Sequence, residues 1–439
     1  MAEKPLTVLF MPESAYGPTN NCIGIGNELL RRGHRVVFAA ETSWAGRLAP
    51  LGFVEDLVDL APPPPADAAP QDAGQFWKDF IRDTAPEFRK PTIEQLATFM
   101  APTWGALIDG ARYCEPQLRD ILARQAPDVV VEDNVVCFPA LVTHGAPFVR
   151  IVSCNPLEVK GPGVAPASAG LPAADRTAWD GFRAEYDRTH RPLWTEFDTW
   201  VRAQGAPGLP DLEFIHPSDH LNLYVYPAEL DYTAERPLDA TWLRLESSVR
   251  RTDAPFTLPD VLADRPAGSA LIYLSLGSLG SADVDLMRRL VAVLGESPHR
   301  FIVSMGPQHA DYDLAPNMWG AEFLPQTSII PQVDLVITHG GNNTTTEAMH
   351  FGKPMVLLPL FWDQYDNAQR VHEQGYGVRL STYGFTDADL HGAIDRLLGD
   401  AELRAPMAAI GTRLRAEVGV ADAAGRSEAI GRQARAGGQ

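Results

Sequence analysis

Two doubly wound α/β domains facing each other across a cleft form the architecture this sequence predicts, and three observations lead there. The chain has 439 residues, too long for one ordinary core and suited to two domains of α/β size. Short apolar runs alternate with helical stretches through both halves, the pattern of parallel sheets with helices on both faces. Between the halves lies a Pro- and charge-rich segment with Pro255, Pro259 and Pro266. The domains are therefore read as 1–250, a linker at 251–268, and 269–439, whose last helix is free to pack back on the first domain.

Taken in order, Leu6–Phe10 is the first strand, and a loop from Met11 to Asn20 leads to a helix from about Asn21 to Arg32. Gly33-His34 turns the chain into a strand at Arg35–Ala39, and further strands read at Asp128–Glu132, Phe148–Val152 and Leu221–Tyr226. Gly24 and Gly26 form a G-x-G, but Leu29 stands where a dinucleotide fingerprint needs its third glycine, so the pair reads as helix packing. Pro62–Pro65 is a surface loop. Three aromatic stripes follow: Phe76, Trp77, Phe80 and Ile81; Met100, Trp104, Leu107 and Ile108; and Trp179, Phe182, Tyr186, Trp194, Phe197 and Trp200. Pro192 is expected to kink or split the third. Most of these faces read as core, with some free to line an apolar cleft. The second half restarts with strands at Ala270–Ser275, Phe301–Ser304, Leu335–Thr338, Met355–Leu358 and Val378–Leu380, then turns helical from about Thr386 to a frayed tail at Arg435–Gln439.

Composition narrows the function. A net charge of −19 argues against nucleic acid or an anionic membrane as partner, because phosphate binding needs clustered Lys and Arg. Any phosphate pocket must then work locally, through backbone N–H groups. Cys22, Cys114, Cys137 and Cys154 are scattered without C-x-x-C pairs, against a disulfide or zinc framework and in keeping with a reducing cytoplasm. No run of 18 apolar residues spans a membrane, and the N-terminus reads as a strand rather than a signal peptide.

The most informative stretch is His339-Gly340-Gly341-Asn342-Asn343-Thr344-Thr345-Thr346-Glu347-Ala348, set between the strand-like runs 334–338 and 355–358. A strand-to-helix turn there presents free N–H groups to an anion. Gly340 and Gly341 allow close approach of a phosphate, Asn343 and Thr344 add side-chain donors, and His339 can donate a ring N–H. Upstream, Phe323-Leu324-Pro325-Gln326 offers an aromatic face and an amide for a base. Glu347, one turn past Thr344, can accept from ribose hydroxyls, and Asp363-Gln364 offers donors and acceptors for a hexose. In this order the segments F-L-P-Q, T-H-G-G-N-N-T-T-T-E-A and P-L-F-W-D-Q-Y-D-N-A-Q-R-V resemble the donor signature of the UDP-glycosyltransferase superfamily, family 1 of the glycosyltransferases. The resemblance implies a GT-B fold and transfer of a hexose or deoxyhexose, with inversion, from a UDP- or dTDP-sugar to an apolar natural-product acceptor. It implies no cofactor, since the nucleotide sugar is a co-substrate, no metal, and a monomer or homodimer. Animal members of the superfamily carry a membrane anchor, which is not expected here.

Transfer needs a stabilised leaving diphosphate and a base for the acceptor. For the first, His339, the N–H groups of Gly341 to Thr344 (Asn342 and Asn343 included) and Ser278 from the opposite loop are the candidates. For the second, the family places a histidine in a G-H-x-x-P segment after strand one, held by an aspartate. Counting sixteen positions back from His34 lands on Pro18, and no histidine precedes His34 at all. Asp133 matches the partner aspartate, so Asp133 and Glu13 are the candidate bases. The alternatives are a catalytically silent relative, a nucleotide-sugar binder or partner protein, kept open by the missing histidine, and a sugar epimerase, which is ranked last.

Overall fold

The structure is a computed structural model that describes residues 4–62, 83–249, 254–263 and 265–437. The first domain is built on β1 (Thr7–Pro12), α1 (Tyr16–Arg31), β2 (Arg35–Phe38), β3 (Val54–Glu55), α2 (Ala101–Gln125), β4 (Val129–Asp133), β5 (Phe148–Val152), α3 (Trp179–Ala203), β6 (Leu221–Val225) and β7 (Trp242–Leu245). Its seven strands are all parallel, in the order β3-β2-β1-β4-β5-β6-β7. β4 and β5 are buried at every residue, as strands covered on both faces must be.

The second domain follows the same plan with β8 (Leu271–Ser275), α4 (Val284–Gly295), β9 (Arg300–Ser304), β10 (Met318–Ala321), β11 (Leu335–Thr338), α5 (Asn342–His350), β12 (Met355–Leu357), α6 (Gln364–Glu373) and β13 (Gly377–Arg379). Its six parallel strands run β10-β9-β8-β11-β12-β13. In each sheet the chain order reverses beside the first strand, between β1 and β4 and between β8 and β11. Crevices open at the carboxyl ends of strands at such switch points, and both face the same space. The last helix, α7 (Gly419–Gly437), returns to the first domain and lies along α1, where Glu428 meets Arg32 and His34 and Arg435 pairs with Asp128.

Several sequence expectations need correction. α1 begins at Tyr16 rather than near Asn21, so the expected loop from Met11 to Asn20 is only a few residues long. Pro18 disguised the start: it stands in the first turn, where a missing N–H costs nothing. Pro192 neither splits α3 nor ends it. The helix runs unbroken through 25 residues, held on both sides of the proline by buried Phe182 and Phe197. The short strands β3, β7 and β10 went unread because none has a long apolar run. Gly26 does serve packing, since a Cβ there would lie 3.0 Å from the Phe53 ring. Positions 63–65 of the proline loop and the stripe at Phe76–Ile81 lie outside the described residues. Among the described residues no helix is long and apolar enough to cross a membrane.

Candidate active site

The cleft between the two sheets holds a cavity of about 620 Å³. Its wall includes Glu13, Asp133, Phe323, Gln326, His339, Gly341, Asn342, Asn343, Thr344, Glu347, Asp363 and Gln364. Twelve of the residues singled out from sequence thus come together. The thirteenth, Ser278, sits in the helical turn Gly277–Gly280, and its side chain lies outside the described residues.

On the second-domain side, β11 delivers His339 and α5 starts at once after Gly341. Gly340 takes φ +86° to make that turn, and a Cβ on it would meet the Gln364 carbonyl at 2.9 Å. Helix geometry leaves the N–H groups of Asn342, Asn343 and Thr344 without intrahelical partners, facing the cavity with the positive end of the helix dipole. The His339 ring lies between two glycines. A Cβ at Gly277, itself at φ +70°, would come within 2.9 Å of it, and one at Gly341 within 2.5 Å of Nε2. The ring bonds to the Ser275 backbone, and burial pushes its pKa down to about 4, so it is neutral at pH 7. A neutral imidazole has a single N–H, here given to the Ser275 carbonyl. The bare backbones leave room for an anion, to which the other nitrogen donates once the added negative charge draws a second proton onto the ring.

The polar side chains around this turn are already tied together. Gln326 Nε2 donates to Glu347 (2.5 Å) and Thr344 Oγ1 (3.2 Å), while its Oε1 accepts from the Tyr273 hydroxyl (3.2 Å). Asn342 Nδ2 donates to the Val225 carbonyl (3.0 Å). Asn343 reaches the first domain, donating to the Gly17 carbonyl (3.1 Å) and accepting from Asn21 Nδ2 (3.3 Å). Gln364 Oε1 accepts from the N–H groups of Leu360 and Phe361 and so braces the turn ahead of α6. Asp363 accepts the Asn155 N–H at 2.9 Å, and burial raises its pKa to about 7. Phe323 stands 58% exposed at the mouth, its ring 6.4 Å from that of Tyr16 across the cleft.

On the first-domain side, Pro12 and Asp133 are register partners at the carboxyl edge of the sheet, and the Glu13 N–H donates to the Asp133 carbonyl. Asp133 is 2% exposed. Burial is the main force that raises its pKa to about 7, helped by the Glu13 charge and opposed by the Ser153 hydroxyl, which donates to it at 2.6 Å. Asn21 Nδ2 in turn donates to Ser153 Oγ at 2.7 Å. Glu13 accepts from Ser14 Oγ and the Ala15 N–H, both at 3.0 Å, and its pKa is also raised by burial. Pro18 lines the cleft near these groups and brings no proton acceptor.

Beyond the carboxylates the cavity turns aromatic. Trp104 stacks on Phe214 at 4.5 Å and lies 5.3 Å from Trp362, and Phe99 lies 5.3 Å from Phe361. Two readings meet here: Trp104 is buried like a core residue and yet forms cavity wall. Trp362 keeps a left-handed φ of +56° to aim its ring. Sequence reasoning did not single out Arg150, Glu158, Lys160 or Phe214, which also line this end. Arg150 stands mid-strand in β5 and the other three in loops or a short turn, with no motif around any of them. Among the described residues no group of His, Cys, Asp and Glu side chains has the spacing to hold a metal ion.

Residues 264–408 match the family described as "UDP-glucoronosyl and UDP-glucosyl transferase". The chain is 25% identical over 445 residues to "Oleandomycin glycosyltransferase" of Streptomyces antibioticus, covering 97% of this chain and 91% of that one. Among solved structures it resembles the "Glycotransferase of kitacinnamycin" with TM-score 0.69 and 21% identity, over 98% of this chain and 100% of the other. "Glycosyltransferase VinC in complex with DTDP" matches with TM-score 0.66 and 18% identity, over 98% and 100%. These two likenesses establish the fold, the GT-B arrangement of paired Rossmann-like domains.

Proposed function

We propose that this glycosyltransferase, a member of the UDP-glycosyltransferase superfamily, moves a hexose or deoxyhexose from a UDP- or dTDP-sugar, with inversion, to a hydroxyl of an apolar natural-product aglycone. One observation carries this reading: a single cavity joins the anion-binding start of α5 to the aromatic wall, with Asp133 beside both. The diphosphate would lie against the N–H groups of Asn342 to Thr344, which take up the charge that develops as the bond to the sugar breaks. It would also lie beside His339, whose ring would donate a second N–H once the diphosphate charge draws a proton onto it. Asp363 and Gln364, on the turn after β12, face the hexose. The acceptor would lie on Trp104, Phe214 and Trp362, its oxygen attacking the anomeric carbon from the face opposite the leaving diphosphate. That direction of attack is what inverts the configuration. The structural neighbour "glycosyltransferase VinC in complex with DTDP" is a protein of this fold that binds a nucleoside diphosphate, which supports a nucleotide-sugar donor here.

No cofactor is needed for this chemistry, and no metal is assigned, because the phosphate ligands proposed are N–H donors. The proton leaves the acceptor for a carboxylate, Asp133 first and Glu13 second. Asp133 qualifies on its pKa, since a base titrating near neutrality combines ionisation with proton affinity. Pro18, at the position of the family's histidine, cannot serve.

The test is a transfer screen of UDP- and dTDP-hexoses against pooled phenolic and macrolide acceptors, with the anomeric configuration of any product read by NMR. An α-donor giving a β-glycoside is expected. Retention of configuration, or donor binding with no transfer across the whole set, would overturn the proposal.

A further inference from the structure

Resting on the acceptor reading above, we infer that the aglycone carries a carboxylate or equivalent anionic group and that Arg150 is the residue that selects for it. Arg150 lies in the middle of β5, is only 5% exposed, and forms part of the cavity wall at its aromatic end. Its guanidinium makes no hydrogen bond, and no carboxylate oxygen comes within 4.0 Å of it among the described residues. Nε is wholly buried and partnerless. Arginine cannot discard its charge by losing a proton, and a cation taken out of water without a partner is costly. Five donors held in a buried fork at a cavity wall are half of a binding site whose other half is an anion.

The neighbouring groups do not supply that half. Glu132 is the register partner of Arg150 on β4, but one of its oxygens accepts the Phe138 N–H while the other has no partner. Burial also drives Glu132 toward its neutral form. Glu158 and Glu213 line the same end of the cavity yet act on Arg150 only through space. The Trp242 ring centroid is 6.0 Å from the guanidinium carbon, the outer limit of cation–π reach. Lys160, the other cation here, is occupied: its Nζ donates to the Leu212 carbonyl and lies 4.6 Å from the centre of the Tyr186 ring. Arg150 is thus the one cavity cation among these left to a ligand, and Asp133 on the neighbouring strand lines the same cavity. An acceptor filling it would place its acid at Arg150 and its hydroxyl at the carboxylate base.

The test needs no turnover. Isothermal titration calorimetry at pH 7.5 compares 6-hydroxy-2-naphthoate with its carboxamide, which has the same shape without the charge. The wild-type protein is expected to bind the acid about 10–100-fold more tightly, the range of one well-formed charge-assisted contact. Arg150→Met should bring the acid to within about twofold of the amide and leave amide binding unchanged, whereas Lys160→Met should keep most of the preference. Amide binding equal to or tighter than acid binding by the wild type overturns the inference, as does binding of neither compound. A preference that survives in R150M also overturns it. The wild-type ratio stands even if R150M fails to fold. Tight acid binding with no sugar transferred from any donor would count against the transferase reading alone.

Discussion

At the scale of single residues, Asp133 is the proposed base, and its pKa, raised by burial to about 7, gives the prediction a sign. The carboxyl ionises as pH rises through 7, so the rate on an aliphatic alcohol should climb to about pH 7 and then level. Asp133→Asn should remove that rise and lower kcat about 10²–10⁴-fold, the usual worth of a general base. Glu13→Gln should cost far less, because Glu13 is held by Ser14 and Ala15. A phenolic acceptor ionises unaided, and its rate should follow its own pKa in both variants. Full activity of D133N and E13Q on the aliphatic alcohol would rule out both carboxylates. The donor residues separate in the same way. His339→Ala should weaken UDP or dTDP binding roughly tenfold, the loss of one phosphate contact. Asp363→Ala should leave free nucleotide binding nearly unchanged and raise KM for the nucleotide sugar. Equal damage to free nucleotide binding by both changes would show the roles to be wrongly divided.

At the scale of elements, the turn from β11 into α5 depends on what is missing from its side chains. Gly341→Ala would push a methyl to within 2.5 Å of His339 Nε2, and the ring, packed against Gly277, has no room to retreat. The expected result is a loss of nucleotide affinity of at least about tenfold with little change in the thermal midpoint, since the fault is local. Gly392→Ala, on an open helix face with nothing within 4 Å of the added Cβ, is the control. Equal nucleotide affinity for both variants, read by calorimetry, would remove the close approach of ring and glycine from the account. The same calorimetry in EDTA should show undiminished UDP binding, and loss on chelation would show that a metal takes part.

At the scale of the whole molecule, the two domains are joined by buried polar contacts beneath the cleft. Asp366 accepts the N–H groups of Ser168 (2.6 Å) and Gly170 (2.8 Å), Asp363 that of Asn155, and Asn367 accepts from both Asn155 and Tyr226. Burial raises Asp363 to about 7 and Asp366 to about 8, both from an ordinary 3.8. The folded protein therefore holds protons that the unfolded chain releases. That contribution to stability is complete below pH 3.8, declines as pH rises, and is lost above about 8, at up to about 1.4 kcal/mol per pH unit for each group. The thermal midpoint should fall between pH 6 and 8.5, and Asp366→Asn should flatten the fall. A midpoint that held level or rose over that range would refute the assignment.

How much of this was legible in the sequence follows from where each signal resides. The alternation of strands and helices, the glycine turn at His339 and the donor segments from Phe323 to Gln364 are local patterns, set by φ freedom, apolar periodicity and spacing along a continuous stretch. They could be read without coordinates, and β5 and β11 were placed to the residue. The absence of any histidine before His34 was equally plain. Only the tertiary structure showed that Pro18 sits in the first turn of α1, that Pro192 leaves α3 whole, and that Asn343 and Asp363 bridge to the first domain. Arg150 is the sharpest case. As one residue in an apolar strand it carries no motif, and its meaning lies in partners it does not have, which depend on how distant segments pack. Contacts between residues close in sequence leave a pattern in the chain, whereas burial and the absence of a partner are properties of the folded whole.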